Sequence, residues 1–371
     1  MRVKNFTYCE YRIPFRAPLR TARGNLTTRR GFLIAAQGKN GEVGLGEVAT
    51  LPEFGTEGYH DAQQRLEELA RYYTDQEVPD AYQEYPDWHP FVRLDTEQQP
   101  ATTYGVDCAL HGLRHALSYE STAQSGSIVE PTTPFAVNSL ITGNNVDELV
   151  TSARQRWDVG FRTLKLKVGV MAAEEEIRAL RLIRLALPDA GLRIDANCVW
   201  SAEQAIAFGK QVESAAIEYI EDPVYSWNLD ALAEFREHCS IPVAVDEFFQ
   251  PSGFLRRFNR WNLFDVLVIK PVRQGALYWT DTIQQAARDN GVQVVYTTMF
   301  DTSLGLACTL NIMKEHADHR IAHGLDTSRL LSSDTLLHHL LPDHGKLRVL
   351  DVASLPSLVR EPYRKALGLP A

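Results

Sequence analysis

The pattern of hydrophobic and polar positions changes about one third of the way along the chain. From about residue 134, short apolar runs alternate with amphipathic segments whose apolar positions recur every three to four residues. The short runs have the length and β-branched character of strands, and the segments between them have a helical period. The predicted strands are residues 135–141, 163–169, 192–198, 217–223, 242–247, 266–271, 293–299 and 320–326. The predicted helices are residues 146–157, 174–187, 202–214, 229–239, 253–261, 280–290 and 304–316.

Strands that alternate with helices predict parallel pairing through right-handed crossovers. Eight such units favour an α/β fold, a modified (β/α)₈ TIM barrel over residues 133–330, although an open doubly wound sheet has the same periodicity. Several helices begin with capping or acidic residues, such as Ser201 followed by Glu203, or the run Glu174–Glu176.

The first 130 residues follow a different pattern. Residues 3–15, 29–38 and 42–49 alternate like antiparallel strands, and residues 61–73 and 103–120 have a helical period. We therefore predict an N-terminal α+β capping domain over residues 1–132, with an acidic, aromatic insert at 73–90. The C-terminal segment 331–371 is predicted to return to this domain, with a strand at 346–352.

Composition narrows the classes of partner. The chain has 371 residues, 44% hydrophobic and 23% charged, as in an ordinary globular protein. A formal net charge of −9 argues against nucleic acid or an anionic membrane as the main partner. The five cysteines form no C-x-x-C pair, and no apolar run is long enough for a signal peptide or a membrane span. We expect a cytoplasmic protein that takes a small-molecule substrate, with a homo-oligomer left open.

Charged side chains recur at the ends of five successive predicted strands. Residues 163–169 read TLKLKVG, so two lysines lie on one face of a strand whose other face is apolar. The strands that follow each end in one acid or lysine, at spacings of 24 to 28 residues. Carboxyl ends of parallel barrel strands meet at one mouth, so these side chains should converge there. They are Lys165, Lys167, Asp195, Glu221, Asp246 and Lys270.

Three carboxylates without histidine or cysteine are hard oxygen ligands, which suit Mg²⁺, with Mn²⁺ as an alternative. We predict Asp195, Glu221 and Asp246 as the metal ligands. A lysine beside a divalent cation gives up its proton more readily, so it can act as a general base. Such a site is suited to removing the weakly acidic proton next to a carboxylate.

These motifs resemble those of the enolase superfamily, over nearly the whole chain. The shared motifs are K-x-K at Lys165 and Lys167, the three acids, and the lysine of IKP at Lys270. In having two opposed lysines, the chain resembles the muconate-cycloisomerase-like subgroup of this superfamily. Within it, LTTRRGFL, VGLGEVATLPEFGTE, VNSLI, RIDAN, DTSLGL and HGLDT resemble the o-succinylbenzoate synthase family, which often has ESSLGL where this chain has DTSLGL.

The resemblance implies a lyase of menaquinone biosynthesis that catalyses the syn dehydration of 2-succinyl-6-hydroxy-2,4-cyclohexadiene-1-carboxylate. Lys167 would be the base and then the acid, and Lys270 would stabilise negative charge from the opposite face of the ring. Cap loops near residues 20–25 and 51–56 would close over the mouth. Lys165 either acts on Lys167 by like-charge repulsion or is a barrel-core lysine paired with a carboxylate.

Further residues are candidates for orienting ligands or contacting the substrate. Two of them share the inward phase of Asp195, one lies near the end of the seventh predicted strand, and two follow that strand. They are Arg193, Asn197, Thr298, Thr302 and Ser303.

Other activities of the same scaffold are alternatives: N-acylamino acid racemase, dipeptide epimerase and muconate cycloisomerase. An epimerase would be expected to carry a D-x-D-type motif at the eighth strand, where this chain offers only Asp326. A non-catalytic barrel that binds an anionic metabolite is a further alternative, but simple anion binding does not need three converging carboxylates.

Overall fold

A computed structural model describes residues 1–21, 24–78, 98–123, 133–225, 228–246, 260–314 and 317–370. Nearly all of the predicted helix 253–261 and most of the insert at 73–90 lie outside the described residues. Two residues of the predicted cap loop at 20–25 also lie outside them.

The N-terminal part combines an antiparallel sheet with two helices. Strands β2 (Asn5–Thr21), β3 (Gly24–Gln37) and β4 (Val43–Val48) pair in sequence order, and β1 (Arg2–Val3) pairs with β5 (Gln76–Glu77). Helices α1 (Tyr59–Tyr73) and α2 (Pro100–Ala123) complete it. Glycines allow α2 to lie directly on β4, because a Cβ at Gly46 would stand 1.9 Å from the Gly105 oxygen.

The second part contains a seven-stranded sheet in which every described pairing is parallel. Neighbours along the chain are neighbours in the sheet, as the alternation of strands and helices predicts. The strands are β7 (Ser139–Ile141), β8 (Thr163–Lys167), β9 (Gly191–Asp195), β10 (Ile217–Glu221), β11 (Val243–Val245), β12 (Val266–Ile269) and β13 (Gln293–Tyr296).

Within the described ranges, helices follow six of the seven strands, and apolar residues of the longer helices share one buried cluster with the strands. Local sequence starts several of them: the side chain of Asn145 accepts from the Glu148 amide at 2.9 Å, and Ser201 forms a capping box with Gln204. The helices are α3 (Val146–Asp158), α4 (Ala173–Ala186), α5 (Ala202–Val212), α6 (Leu229–His238), α7 (Pro271–Gln274), α8 (Leu277–Asp289) and α9 (Ser303–Met313). None of the helices in the described ranges is long and apolar enough to cross a membrane.

The eighth predicted strand, residues 320–326, forms two isolated bridges instead of a regular strand. His323 pairs with Val137 beside the first strand of the sheet, and Gly324 pairs with Thr297 just beyond the last strand. The Gly324 amide donates to the Tyr296 oxygen at 2.8 Å, and the Asn138 amide donates to the His323 oxygen at 2.9 Å. Both edges of the seven-stranded sheet are therefore hydrogen-bonded to this segment.

The first predicted strand of the barrel is divided at Val137. Its first half, β6 (Phe135–Ala136), pairs antiparallel with β14 (Lys346–Leu347), and its second half is β7. The strand predicted at 346–352 is thus shorter than expected and pairs with β6 instead of with the three-stranded sheet. The Val137 amide donates to the Gly345 oxygen at 2.9 Å, which continues this pairing.

The C-terminal helices pack on the three-stranded sheet. Helices α10 (Leu355–Leu358) and α11 (Glu361–Ala366) follow β14, and Leu355 and Leu367 share a buried cluster with Ile13 and Leu33. The Thr7 hydroxyl donates to the Leu367 oxygen at 2.8 Å. The domain boundaries at 132/133 and 330/331 stay predictions.

A buried histidine lies in segment 320–326, hereafter the eighth segment, at the point where this segment pairs with the edge of the sheet. His323 is fully buried, its Nδ1 lies 3.1 Å from the Tyr296 amide, and its Nε2 lies 3.2 Å from the Asp318 oxygen. The amide can only donate and the carbonyl can only accept, so these partners require a neutral ring with the proton on Nε2. Burial is the main cause that lowers the pKa of His323 to about 4.

We predict that His323 makes stability depend on pH between about 6.5 and 4. The unfolded chain takes up a proton on this histidine near pH 6.5, whereas the folded chain does so only near pH 4, so stability is lost as pH falls. The contribution is about 3 kcal/mol. Chemical denaturation from pH 8 to pH 4 should show a shallower loss for His323→Gln than for wild type. The exposed His238→Gln should follow wild type, and equal slopes in all three proteins would contradict the prediction.

Candidate active site

The sheet brings the charged strand ends together in chain order. Lys167 is in register with Asp195, and Asp195 is in register with Glu221, at the carboxyl ends of β8, β9 and β10. Asp246 directly follows β11, and Lys270 directly follows β12. Leu164 and Leu166, which alternate with the lysines of β8, are buried in the core between the sheet and its helices. The strand positions of this set agree with the prediction from sequence.

Lys165 lies between two of the carboxylates. Its Nζ is 2.7 Å from Glu221 Oε1 and 2.9 Å from Asp195 Oδ2. Burial opposes the charge of Lys165, but the attraction of Asp195 and Glu221 outweighs it and raises its pKa well above the ordinary value. Of the two roles considered for Lys165, the structure shows the ion pair with carboxylates. A direct catalytic role for Lys165 stays a prediction.

Lys270 is hydrogen-bonded to Asp246 Oδ2. On the other side of this carboxylate, Arg273 Nη1 lies 3.9 Å from Asp246 Oδ1. Burial would raise the pKa of Asp246, but Lys270 and Arg273 together lower it below its usual value. The charge of Asp246 is therefore stabilised by two cations from the segment that follows β12.

Glu221, in the middle of the set, is the acid that is least compensated. Burial raises its pKa to about 7, the attraction of Lys165 opposes this, and the charges of Asp195 and Asp246 add to the increase. Only about 3% of its surface is exposed. The charges of Asp195 and Asp246 thus both act on Glu221, and the convergence of the three acids at a barrel mouth stays a prediction.

The donor set fits a hard cation, although the carboxylates are directed at lysines here. Within the described ranges, no three His, Cys, Asp or Glu residues are grouped so that they could hold a metal ion. Asp246 Oδ1, however, is buried without a hydrogen-bond partner among the described residues. An unsatisfied carboxylate oxygen next to an undercompensated Glu221 is the environment that an oxygen-liganded divalent cation would stabilise.

Asn197 orients one of the predicted ligands. Its backbone is in the left-handed region, with φ of 47°, and this conformation turns both of its donors back toward the strand end. The Asn197 amide and Nδ2 donate to Asp195 Oδ1 at 3.1 Å and 2.5 Å. A contact between Asn197 and a substrate stays a prediction.

Arg193 lies one pleat below Asp195 and links β9 to the eighth segment. It donates to the Ala322 oxygen at 2.6 Å and to Glu218 Oε2 at 2.7 Å, and its guanidinium lies 4.7 Å from the centre of the Tyr219 ring. Through these partners, Arg193 joins β9 to β10 and to the segment 320–326. A contact between Arg193 and a substrate stays a prediction.

The three hydroxyl residues after β13 are hydrogen-bonded inside the protein. Thr298 Oγ1 lies 2.6 Å from Thr327 Oγ1, Thr302 Oγ1 donates to Glu47 at 2.7 Å, and Ser303 Oγ donates to Asp334 at 2.5 Å. Thr302 and Ser303 are fully buried. Their role as substrate contacts therefore stays a prediction.

Two buried glutamates have roles that the sequence pattern does not indicate. Glu176 accepts from the amides of Gly169, Val170 and Met171, each at 2.8 Å, and so fixes the loop that follows Lys167. Glu47 of β4 binds the start of helix α9. From the local sequence, Glu176 is recognisable only as part of the acidic first turn of α4. For Glu47, the one sequence signal is that an acid lies inside an otherwise apolar strand.

Comparison with known proteins agrees with this architecture. The family "Enolase C-terminal domain-like" matches residues 148–354, and "MenC, N-terminal domain" matches residues 3–113. An o-succinylbenzoate synthase from Photorhabdus laumondii is 27% identical, over 90% of this chain and 91% of the relative.

Solved structures of similar fold have lower sequence identity. A dipeptide epimerase from Enterococcus faecalis, complexed with Mg and a dipeptide, superposes with a TM-score of 0.79 at 18% identity, over 95% and 98% of the two chains. An N-succinyl Arg/Lys racemase from Bacillus cereus gives 0.79 at 17%, over 97% and 99%. These neighbours support the fold, whereas the family match extends over more than half of the sequence. The chain belongs to the enolase C-terminal domain-like family.

Proposed function

We propose that this protein is an o-succinylbenzoate synthase. It would be a Mg²⁺-dependent lyase that removes the proton α to the carboxylate of 2-succinyl-6-hydroxy-2,4-cyclohexadiene-1-carboxylate and expels water. The observation that carries the proposal is the row of strand ends in which three buried carboxylates lie between Lys167 and Lys270. We also propose that the eighth segment completes a (β/α)₈ barrel through its bridges to both sheet edges.

Asp195, Glu221 and Asp246 are the residues that would hold the metal. A bound Mg²⁺ would supply a positive charge for the negative charge that develops on the substrate carboxylate. Asn197 would keep Asp195 oriented for this task through its two hydrogen bonds.

Lys167 is suited to the proton transfer because it is the accessible lysine of the set. Its side chain is exposed and makes no hydrogen bond or ion pair with the residues that the structure describes. In the proposed reaction Lys167 takes the α-proton and then donates it to the departing hydroxyl group on the same face. The Glu176 carboxylate fixes the backbone immediately after Lys167, which limits where its side chain can reach.

Lys270 is suited to a stationary role. Its ammonium group is held by Asp246, so its positive charge stays at one side of the site. There it would stabilise negative charge on the ring from the face opposite Lys167. Loss of water yields an aromatic product, so the main demand on the enzyme is the removal of the α-proton.

Two further observations bear on the competing activities. The named relative and the MenC N-terminal match both favour the synthase over a racemase. Asp326 Oδ2, the acid available for the amine of a dipeptide, is 2.7 Å from Arg329 Nε and 3.1 Å from Ser139 Oγ. Because Asp326 already binds a cation, its position does not favour a dipeptide epimerase. A cytoplasmic location and a homo-oligomer remain predictions from the sequence.

We predict that Mg²⁺ stabilises the protein through Glu221. Millimolar MgCl₂ should raise the Tm of wild type, because a ligand that binds only the folded state stabilises it. Glu221→Gln removes one charged ligand with little change of shape and should abolish most of the increase. The exposed Glu237→Gln on α6 is the control and should respond like wild type. Equal Tm changes in all three proteins would contradict the metal assignment.

We predict that Lys167→Ala loses dehydration activity by about 10³-fold, because a general base contributes 10²–10⁴-fold. Formation of the aromatic product from the cyclohexadiene substrate, followed by ultraviolet absorbance with Mg²⁺ present, measures this. Lys270→Ala should retain trace turnover, whereas racemisation of an N-acylamino acid would need both lysines. Lys210→Ala, on α5, is the control. No product with wild type, or undiminished activity of Lys167→Ala, would contradict the proposal.

A further inference from the structure

Helix α9 begins without a side-chain cap from its own first residues. Thr302, at the N-cap position, makes no capping hydrogen bond to the helix. The amides at the start are bound by acids from distant parts of the chain. Glu47 accepts from the Thr302 amide at 3.2 Å and the Gly305 amide at 2.8 Å, and Asp334 accepts from the Ser303 amide at 2.9 Å.

Glu47 is held rigidly in this position. It is buried on β4, and it also accepts hydrogen bonds from the Tyr11 hydroxyl at 2.5 Å and the Thr302 hydroxyl at 2.7 Å. A Cβ at position 305 would lie 2.4 Å from Glu47 Oε2, so glycine there permits the close approach. A negative charge at a helix N-terminus is favourable, and such charge-assisted bonds are stronger than neutral ones.

The loop that leads into this helix is held by further groups from the N-terminal part. Phe300 has a left-handed backbone, with φ of 59°, which is strained for a bulky residue. Arg29 Nε donates to the Phe300 oxygen at 3.2 Å, and the Phe300 ring packs edge-on against Phe15 and Phe54. Phe54 belongs to the segment 51–56, which the family resemblance predicts to close over the mouth.

The same loop lies against the segment that carries Lys270. The Thr297 amide donates to the oxygen of Ile269, the residue before Lys270, at 2.9 Å. Met299 belongs to the same buried cluster as Val272, two residues beyond Lys270. A change in the position of residues 297–302 would therefore be transmitted to the backbone on both sides of Lys270.

We propose that Glu47 is a positioning residue, which fixes loop 297–302 from the N-terminal part of the chain and thereby places Lys270 for catalysis. This inference rests on the proposed function for its catalytic half. Its structural half, the fixing of the loop by Glu47, requires no assumption about the substrate.

The test compares two buried glutamates, each of which accepts hydrogen bonds from backbone amides at the start of a different helix. Glu47→Gln replaces one carboxylate oxygen at the start of α9 by an NH₂ group, which cannot accept a hydrogen bond from a backbone amide. Glu57→Gln makes the same change at the start of α2, where Glu57 accepts from the Ala101 amide at 3.0 Å and the Thr102 amide at 2.6 Å. Both variants should lose thermal stability. The comparison therefore separates general weakening of the fold from a specific effect on the loop.

Hydrogen exchange of a peptide over residues 297–306 gives the first readout. Glu47→Gln should accelerate exchange there about 10-fold or more, and Glu57→Gln should leave it as in wild type. For Mg²⁺-loaded enzyme, Glu47→Gln should lower kcat about 10- to 100-fold with a smaller change in KM, since small misplacements of catalytic groups cost this much. Glu57→Gln should keep kcat near wild type. Unchanged exchange, or equal kcat for both variants, overturns the inference.

A second pair of variants serves if Glu47→Gln does not fold. Thr302→Ser keeps the hydroxyl that binds Glu47, and Thr302→Ala removes it. Faster hydrogen exchange over residues 297–306 in Thr302→Ala than in Thr302→Ser supports the fixing of the loop by Glu47, and equal exchange in the two variants contradicts it. A wild type that forms no aromatic product contradicts the proposed dehydration instead. The exchange contrast between Glu47→Gln and Glu57→Gln then still decides whether Glu47 fixes the loop.

Discussion

The mutual repulsion of buried carboxylates is the constraint on which the rest of the site depends. Asp195, Glu221 and Asp246 are each less than a tenth exposed, and an uncompensated buried charge costs several kcal/mol. Two lysines offset the repulsion in the structure: Lys165 lies between Asp195 and Glu221, and Lys270 is bound to Asp246. The pKa of Glu221, raised mainly by burial, shows that this compensation is incomplete at the centre.

Because of this constraint, the three lysines of the site differ in burial and in ion pairing. Lys165 and Lys270 are partly buried and bound to acids, so their charge is part of the folded structure. Lys167 follows Lys165 by one pleat, yet its side chain is exposed at the strand end. The proposed division of labour, in which one lysine moves a proton and another holds a charge, follows from this difference in surroundings.

Buried glutamates also organise the backbone around the site. Glu47, Glu57 and Glu176 each accept at least two backbone amide hydrogen bonds, at helix starts or in a loop. Burial raises the pKa of Glu47 and Glu57, and the hydrogen bonds that these carboxylates accept oppose the increase. By accepting these bonds, the glutamates order the segments that supply the amides. The protein thus uses acids for two purposes, since those at the strand ends balance lysines and those around them hold loops in place.

The sequence by itself determined the repeating strand and helix units and the strand positions of the six charged residues, because period-2 alternation and strand-end phase are local properties. It also placed Asn197 beside Asp195. Only the tertiary structure decided that Lys165 binds Asp195 and Glu221, that residues 320–326 form single bridges, and that Thr302 and Ser303 turn inward to Glu47 and Asp334. Those partners are distant in the chain, and side-chain pairing across such separations depends on packing that local periodicity does not encode.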